Sequence, residues 1–168
     1  AVQDLEVTAV VEPLEPPELF DWFVSFREAL GMHIVSLEEP GIGSTLVNAI
    51  NDAHVVCLLS DRLVGGAGVE VEFFGERTKL PAGPATLALR TGAAMLPVGV
   101  YQRTKGTHAW CRPPVPAERE GKLRADVQRV TQALAHELEI LIRAAPEQWH
   151  LMQPNWPSDP GYPANKGK

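Results

Sequence analysis

The spacing of apolar residues changes along the chain between a strand pattern and a helix pattern. Short alternating or continuous apolar runs predict strands, at 5–11, 33–37, 55–59, 95–101 and 107–113. Longer segments with apolar residues every three or four positions predict helices, at 17–30, 45–53, 82–91 and 118–144. Strands and helices in this order predict an α/β fold, a layered mixed sheet with helices on both faces.

Several local patterns sharpen these assignments. The unbroken apolar run from Val55 to Leu59 is typical of a strand buried on both faces. Ser44 is the predicted N-cap of the helix that follows it. Lys105 and Gly106 are predicted to form the turn between the strand at 95–101 and an antiparallel neighbour.

A chain of 168 residues holds one domain, predicted over residues 1–158, and the Pro/Gly-rich residues 159–168 are a predicted disordered tail. The chain begins at Ala1 inside a strand-like segment, so we expect that an N-terminal part precedes it. It carries no signal-peptide pattern and no run of 18 apolar residues, so no membrane span is expected.

The net charge of −6 disfavours nucleic acid as a partner, but it does not exclude a membrane surface. Cys57 and Cys111 are predicted to be reduced, buried thiols. Neither cysteine lies close in sequence to a histidine or to the other cysteine, so no metal site is predicted and no cofactor is expected.

Asp61 and Arg62 directly follow the apolar run at 55–59. Such a pair is either a surface ion pair or part of a site, because strand ends in open α/β sheets are common ligand positions. The carboxylate could orient a histidine base and the guanidinium could bind a phosphate. The glycines at 65, 66 and 68 match no phosphate-loop pattern and predict a flexible gate or a hairpin turn.

A second candidate region begins at Phe73-Phe74-Gly75, which ends a short predicted strand. Adjacent strand residues face opposite sides, so one ring could line a groove while the other packs inward. Pro81, Gly83 and Pro84 then open a helix of small residues, which allows close contact with either a strand or an acyl chain.

Two histidines invite a catalytic interpretation. His33 and Glu38 have the H-x4-D/E spacing, but residues five apart in an extended segment face opposite sides, so we predict no catalytic role for this pair. His150, between large apolar residues, is predicted to be packed and hydrogen-bonded, pinning the C-terminal segment.

Three blocks together resemble the lysophospholipid/lipid A acyltransferase family, and within it the actinobacterial phosphatidylinositol mannoside acyltransferases. The blocks are VVCLLSDR, VEVEFFGERTKLPAGPATLALRTGAAMLPVGV and PEQWHLMQPNW. The resemblance implies acyl-CoA-dependent transfer of a fatty acyl group to a mannose hydroxyl of a glycolipid, by a peripheral protein at the cytoplasmic face of the plasma membrane. It implies a catalytic role for Asp61 and Arg62 and an acyl groove formed by Phe73, Phe74, Gly75, Pro81, Gly83 and Pro84.

The family's H-x4-D/E motif has no match in residues 1–16. The resemblance therefore implies the C-terminal portion of such an enzyme, or a relative that has lost its base, and we expect no acyl transfer by this chain alone. The alternative is a non-catalytic lipid-binding or interaction module that uses the same groove.

Overall fold

The computed structural model describes residues 5–65 and 68–162, and the chain divides into two compact units, Ala1–Leu59 and Ser60–Lys168. The predicted glycine gate falls partly on residues 66 and 67, outside the described residues, as do residues 163–168 of the predicted tail. The division into one domain at 1–158 and a disordered tail stays a prediction.

The first unit is built on a parallel sheet. Its elements in chain order are β1 (Val7–Val11), α1 (Pro17–Glu28), β2 (Met32–Ser36), α2 (Ile42–Asn51) and β3 (Val55–Cys57). The strand order is β2-β1-β3, so β1 is central and pairs in parallel with both neighbours. Because all three strands run the same way, their N-terminal ends lie at one edge of the sheet.

The prediction that 55–59 is a strand buried on both faces is wrong. β3 ends at Cys57, Val55 is 44% exposed and Leu59 is 84% exposed. β3 is at the end of the three-stranded order, so one of its sides has no paired strand among the described residues. An apolar run gives the propensity for a strand, but the number of its neighbours sets its burial.

The helices of the first unit also differ from expectation. All residues of α1 are described and none of their side chains is buried, although Leu19, Phe26 and others form the predicted apolar stripe. Ser44 is not the N-cap of α2, because the helix begins at Ile42 after Gly41, whose φ of 80° suits glycine.

The described residues of the second unit form two antiparallel hairpins and two α-helices. Its elements are β4 (Gly68–Phe73), β5 (Glu76–Pro81), α3 (Gly83–Thr91), β6 (Val98–Arg103), β7 (Gly106–Cys111) and α4 (Leu123–Arg143), followed by a 3-10 turn at Pro146–Gln148. β4 pairs with β5, and β6 pairs with β7 as predicted. The predicted turn Lys105-Gly106 is wrong by one residue, because Gly106 already pairs with Arg103 and the turn is Thr104-Lys105. The sequence pattern missed β5, because its alternation is carried by threonine and lysine as well as leucine.

Among the described residues, two groups of buried side chains form the core of this unit, and α4 contributes to both. The first joins Ala85 and Leu89 of α3 to Val127 and Val130 of α4. The second joins the β4–β5 hairpin to α4; its buried members are Val71, Phe73, Leu80 and Ala135. The long amphipathic helix predicted from its 3.6-residue period therefore holds both α3 and the first hairpin.

A buried carboxylate anchors the start of α4. Burial by itself raises the pKa of Asp126, but N–H donors from Gly121, Glu120, Arg119 and Arg129 outweigh it and hold the pKa below its ordinary value. This network fixes the loop that leads into the helix.

The fold class is α/β, as predicted, and the strands of the described part of the chain form three hydrogen-bonded sheets. Both cysteines are free thiols, but both are exposed, so the prediction that they are buried is wrong. They lie on the outer strands β3 and β7 rather than in a core. Among the described residues, no helix combines the length and apolar character needed to cross a bilayer.

Candidate functional site in the second unit

Asp61 and Arg62 lie in the irregular segment before β4, and each is held by the segment after α4. Asp61 Oδ2 accepts a hydrogen bond of 2.7 Å from Trp149 Nε1. Arg62 donates to Gln153 Oε1 at 2.7 Å. These bonds span about half the chain, so tertiary structure rather than local sequence sets the position of the pair.

Four aromatic rings pack together beside this pair. Phe73, Phe74, Trp149 and Trp156 contact one another in every combination, with ring centroids 4.8–6.2 Å apart. We call these four residues the aromatic cluster. Phe73 is fully buried at its centre, and Trp156 Nε1 donates to the Phe73 carbonyl at 2.9 Å. The cluster joins the FFG block to the WHLMQPNW block.

Phe74 does not lie on a strand as predicted. It forms a two-residue turn with Gly75 between β4 and β5, and their φ angles are 55° and 83°. Positive φ at both positions matches the right-handed twist of a hairpin. The two phenylalanine rings therefore do not point to opposite sides of a sheet, and their centroids are 4.8 Å apart.

Helix α4 contacts this turn through Glu139 and Arg143. The backbone N–H of Phe74 donates to Glu139 Oε1 at 2.7 Å, and Arg143 forms an ion pair with Glu139 at 2.8 Å. The guanidinium of Arg143 also lies 4.8 Å from the centre of the Phe74 ring. This cation–π contact and the ion pair fix Phe74 at the edge of the aromatic cluster.

The remaining predicted groove residues fall into different settings. Pro81 ends β5 rather than opening a helix, and it pairs with Gly68. Gly83 begins α3, and a Cβ there would meet no atom within 4 Å. Pro84 is buried with the small residues that follow it, which pack against α4. The acyl-binding role of this set stays a prediction.

The segment after α4 contributes residues that sequence reasoning had not assigned to a site. Backbone N–H groups of Trp156 and Asn155 donate to Asp159 and hold its pKa below its ordinary value of 3.8. Trp149 and Asp159, rather than His150, pin this segment, because His150 is exposed. The block PEQWHLMQPNW gave the only sequence signal, through the family resemblance.

In the first unit, the partner of His33 is Glu6 rather than Glu38. His33 Nε2 lies 2.7 Å from Glu6 Oε2, whereas Glu38 follows β2 in a turn. His54 packs on His33 with ring centroids 4.9 Å apart. These three side chains are the set among the described residues that could hold a metal ion.

Comparison with known proteins agrees with the resemblance. A family model described as bacterial lipid A biosynthesis acyltransferase matches residues 2–158. A phosphatidylinositol mannoside acyltransferase of Mycobacterium tuberculosis (strain H37Rv) is 38% identical over 155 residues, covering 90% of this chain and 47% of the relative. One from Mycolicibacterium smegmatis is 37% identical, covering 90% of this chain and 49% of the relative. The chain thus spans about half the length of the curated relatives it matches, and it belongs to the bacterial lipid A biosynthesis acyltransferase family.

Proposed function

We propose that this chain forms part of an acyltransferase that moves a fatty acyl group from acyl-CoA to a mannose hydroxyl of a phosphatidylinositol mannoside-type glycolipid. The acceptor oxygen would attack the thioester carbonyl, forming the ester C–O bond as the C–S bond breaks. A base would take the hydroxyl proton and pass it to the departing sulfur, so that CoA leaves as its thiol. Family membership and the names of the two mycobacterial relatives support this proposal.

The observation that carries the proposal is the bond between Asp61 and Trp149. It joins the acid-arginine block to the tryptophan block of the family resemblance, and ring contacts of Trp149 with Phe73 and Phe74 add the FFG block. With Oδ2 occupied by the indole N–H, the Asp61 carboxylate has a fixed orientation and can position an imidazole base through its other oxygen. Arg62 would bind a phosphate of CoA.

Binding of the acyl chain would centre on Phe74 and Gly75. Phe74 is partly exposed at the edge of the aromatic cluster, whereas Phe73 is fully buried and supports it. Pro84 is also buried, so its part would be to support the open N-terminal turn of α3 at Gly83. Pro81 would shape the surface between the Phe74-Gly75 turn and the start of α3 at Gly83.

Donor binding tests this arrangement directly. Calorimetric titration of the 168-residue chain with palmitoyl-CoA should give saturable binding, weakened about tenfold by Arg62→Gln and by Phe74→Ala. Coenzyme A alone and palmitate alone should each bind more weakly. Arg124→Gln, at an exposed arginine of α4, is the matched control. Failure to bind, or binding that neither variant changes, would contradict the proposed donor site.

Transfer chemistry needs its own measurement. We expect no release of CoA from palmitoyl-CoA and a phosphatidylinositol mannoside acceptor by the 168-residue chain. For the polypeptide encoded by the whole gene, we expect release that Asp61→Asn lowers at least 100-fold. CoA release by the short chain that His33→Ala abolishes would contradict the exclusion of His33 as the base. Lipid binding without transfer by the whole polypeptide, unchanged in Asp61→Ala, would favour the non-catalytic module.

We also propose that the protein acts as a peripheral protein at the cytoplasmic face of the plasma membrane. The β6–β7 hairpin supports this, because Val98 and Val100 are 48% and 62% exposed and its tip carries Arg103 and Lys105. Apolar and basic groups together favour an anionic lipid surface. Sedimentation with vesicles containing phosphatidylinositol should exceed that with neutral vesicles and fall in Arg103→Gln/Lys105→Gln. Equal sedimentation with both vesicle types would contradict this placement.

A further inference from the structure

We infer that Glu6, His33 and His54 of the first unit form a binding site for a zinc-like divalent transition-metal ion. One ligand atom from each of the three side chains can be chosen so that all lie within 4.8 Å of one another. This inference concerns the first unit alone and does not depend on the acyltransferase proposal.

The parallel sheet brings these residues together. Glu6 precedes the central strand β1, His33 lies in β2, and His54 precedes β3. The register places Thr8 opposite both His33 and Val56, and the backbone N–H of Val55 donates to the Glu6 carbonyl. Because side chains alternate along a strand, Glu6 and Thr8 share a face of the sheet, and this face also presents His33. Three strand beginnings thus present three ligands at one edge.

The separations are close to those of a metal site. His33 Nε2 is already 2.7 Å from Glu6 Oε2, and the two imidazole rings are 4.9 Å apart at an angle of 35°. Zinc binds nitrogen and oxygen at about 2.0–2.2 Å, so its tetrahedral ligands lie roughly 3.3 Å from one another. Small side-chain rotations at this exposed edge would bring the three ligand atoms to this spacing.

A buried hydroxyl supports the second histidine. Thr8 Oγ1 lies 2.9 Å from His54 Nδ1, and Thr8 is only 2% exposed. When Nδ1 carries the proton and donates it to Thr8, the lone pair of His54 is on Nε2, the nitrogen that can bind a metal. A hydrogen bond from the second ring nitrogen is the usual way in which proteins orient histidine ligands.

The ligand types select the ion. Two imidazoles and one carboxylate suit Zn²⁺ and neighbouring transition metals, whereas Ca²⁺ and Mg²⁺ prefer sites made of oxygen. The side chains of His33 and Glu6 are 54% and 61% exposed, so an ion can enter from solvent and keep a water molecule in its fourth position. A simple ion pair would need only Glu6 and His33; the third ligand and its threonine support distinguish a metal site from it.

The test uses the 168-residue chain with its thiols kept reduced. Co²⁺ should bind with one-to-one stoichiometry and give the visible absorption of a tetrahedral nitrogen/oxygen site. Zn²⁺ should displace it. His33→Asn, His54→Asn and Glu6→Gln should each weaken Zn²⁺ binding at least tenfold, and Thr8→Val should weaken it about tenfold through His54. His33 and Glu6 are exposed, so their variants should keep the fold, which circular dichroism would verify.

Two controls separate this site from others on the chain. His108→Asn, at an exposed histidine of β7, should leave the affinity unchanged. Cys57→Ser should also leave it unchanged, and no thiolate-to-cobalt charge-transfer band should appear. Zinc should raise the Tm of the wild-type chain but not that of His33→Asn. Loss of binding in Cys57→Ser, or equal affinity in wild type and His33→Asn, would overturn the inference.

Discussion

The two units use apolar residues of similar spacing, yet they bury them to very different degrees. Among the described residues, the largest fully buried side chains, Phe73, Leu80, Val130 and Thr131, all belong to the second unit. In the first unit, α1 carries Trp22 and Phe26 at 63% and 51% exposure, and Leu30, just after the helix, is 66% exposed. Amphipathic spacing therefore predicts which face of an element is apolar, and the packed neighbours decide whether that face is buried.

The difference also separates two kinds of chemistry. The second unit fixes Asp61 and Phe74 through long-range contacts from α4 and the segment beyond it. The first unit gathers Glu6, His33 and His54 through the register of a parallel sheet and leaves them largely exposed.

The largest difference in the free energy of unfolding is expected when one phenylalanine is truncated to alanine in each unit. Phe73→Ala should lower the free energy of unfolding by about 3–5 kcal/mol, because it leaves a cavity in a closed core. Phe26→Ala should change it by less than about 0.5 kcal/mol, because that ring is 51% exposed. Urea unfolding followed by circular dichroism measures both. Equal losses would show that the contrast in burial is wrong.

Replacing a glycine by alanine should lower stability in the second unit and raise it in the first. A Cβ at position 99 would lie 2.5 Å from Tyr101 Oη and 3.1 Å from a Leu141 methyl group, so Gly99→Ala should cost about 1–3 kcal/mol. Gly43 in α2 has no atom within 4 Å of such a Cβ, so Gly43→Ala should stabilise by about 0.5 kcal/mol. The same urea measurement applies. A stabilising Gly99→Ala would contradict the tight packing of β6 on α4.

The bond between Trp149 and Asp61 should contribute a smaller amount. Trp149→Phe keeps an aromatic ring but removes the donor, which should cost about 1.5 kcal/mol. In a double-mutant cycle with Asp61→Ala, which removes the acceptor oxygens, most of this cost should disappear when both residues are changed. Trp110→Phe, on the exposed strand β7, is the matched control. Additive losses in the cycle would indicate that the two side chains do not interact in solution.

The smallest expected effect is a loss of stability that is present near neutral pH and disappears in acid. Backbone donors hold the pKa of Asp159 below 3.8, so its contribution to stability is fully present above that value. The contribution is lost as pH falls through the lower folded pKa. Asp159→Asn should therefore be less stable than wild type at pH 6, and the difference should vanish toward pH 2. Tm measured across this range tests it, and a constant difference would contradict the bonding of Asp159 to Asn155 and Trp156.

Much of the fold was predictable because it follows from local patterns. The 3.6-residue period predicted α4, and alternating or continuous apolar runs predicted β1, β2 and the β6–β7 hairpin. β5 was missed because its polar alternate residues do not stand out. The edge position of β3 cannot be inferred from the apolar run at 55–59 that contains it. Strand propensity is local, whereas strand order depends on distant segments.

Some residues of the candidate site were likewise predictable from the sequence, and others were not. Asp61, Arg62 and the FFG block were found from the sequence, because a charged pair after an apolar run and adjacent aromatic residues stand out locally. Their partners Trp149, Gln153 and Glu139 were not, since each bond joins residues at least 65 positions apart. Loop-closure entropy opposes such contacts, so they form only when the surrounding core packs.

By itself, the sequence determined the α/β class, the long final helix and the family, because these depend on residue spacing and on short blocks of residue types. Only the tertiary structure decided that Phe74 occupies a turn, that Trp149 holds Asp61, and that Glu6, His33 and His54 meet. The physical reason is that spacing along a chain fixes which face of an element is apolar. The pairing of strands and the packing of α4 fix which distant side chains come within hydrogen-bonding reach.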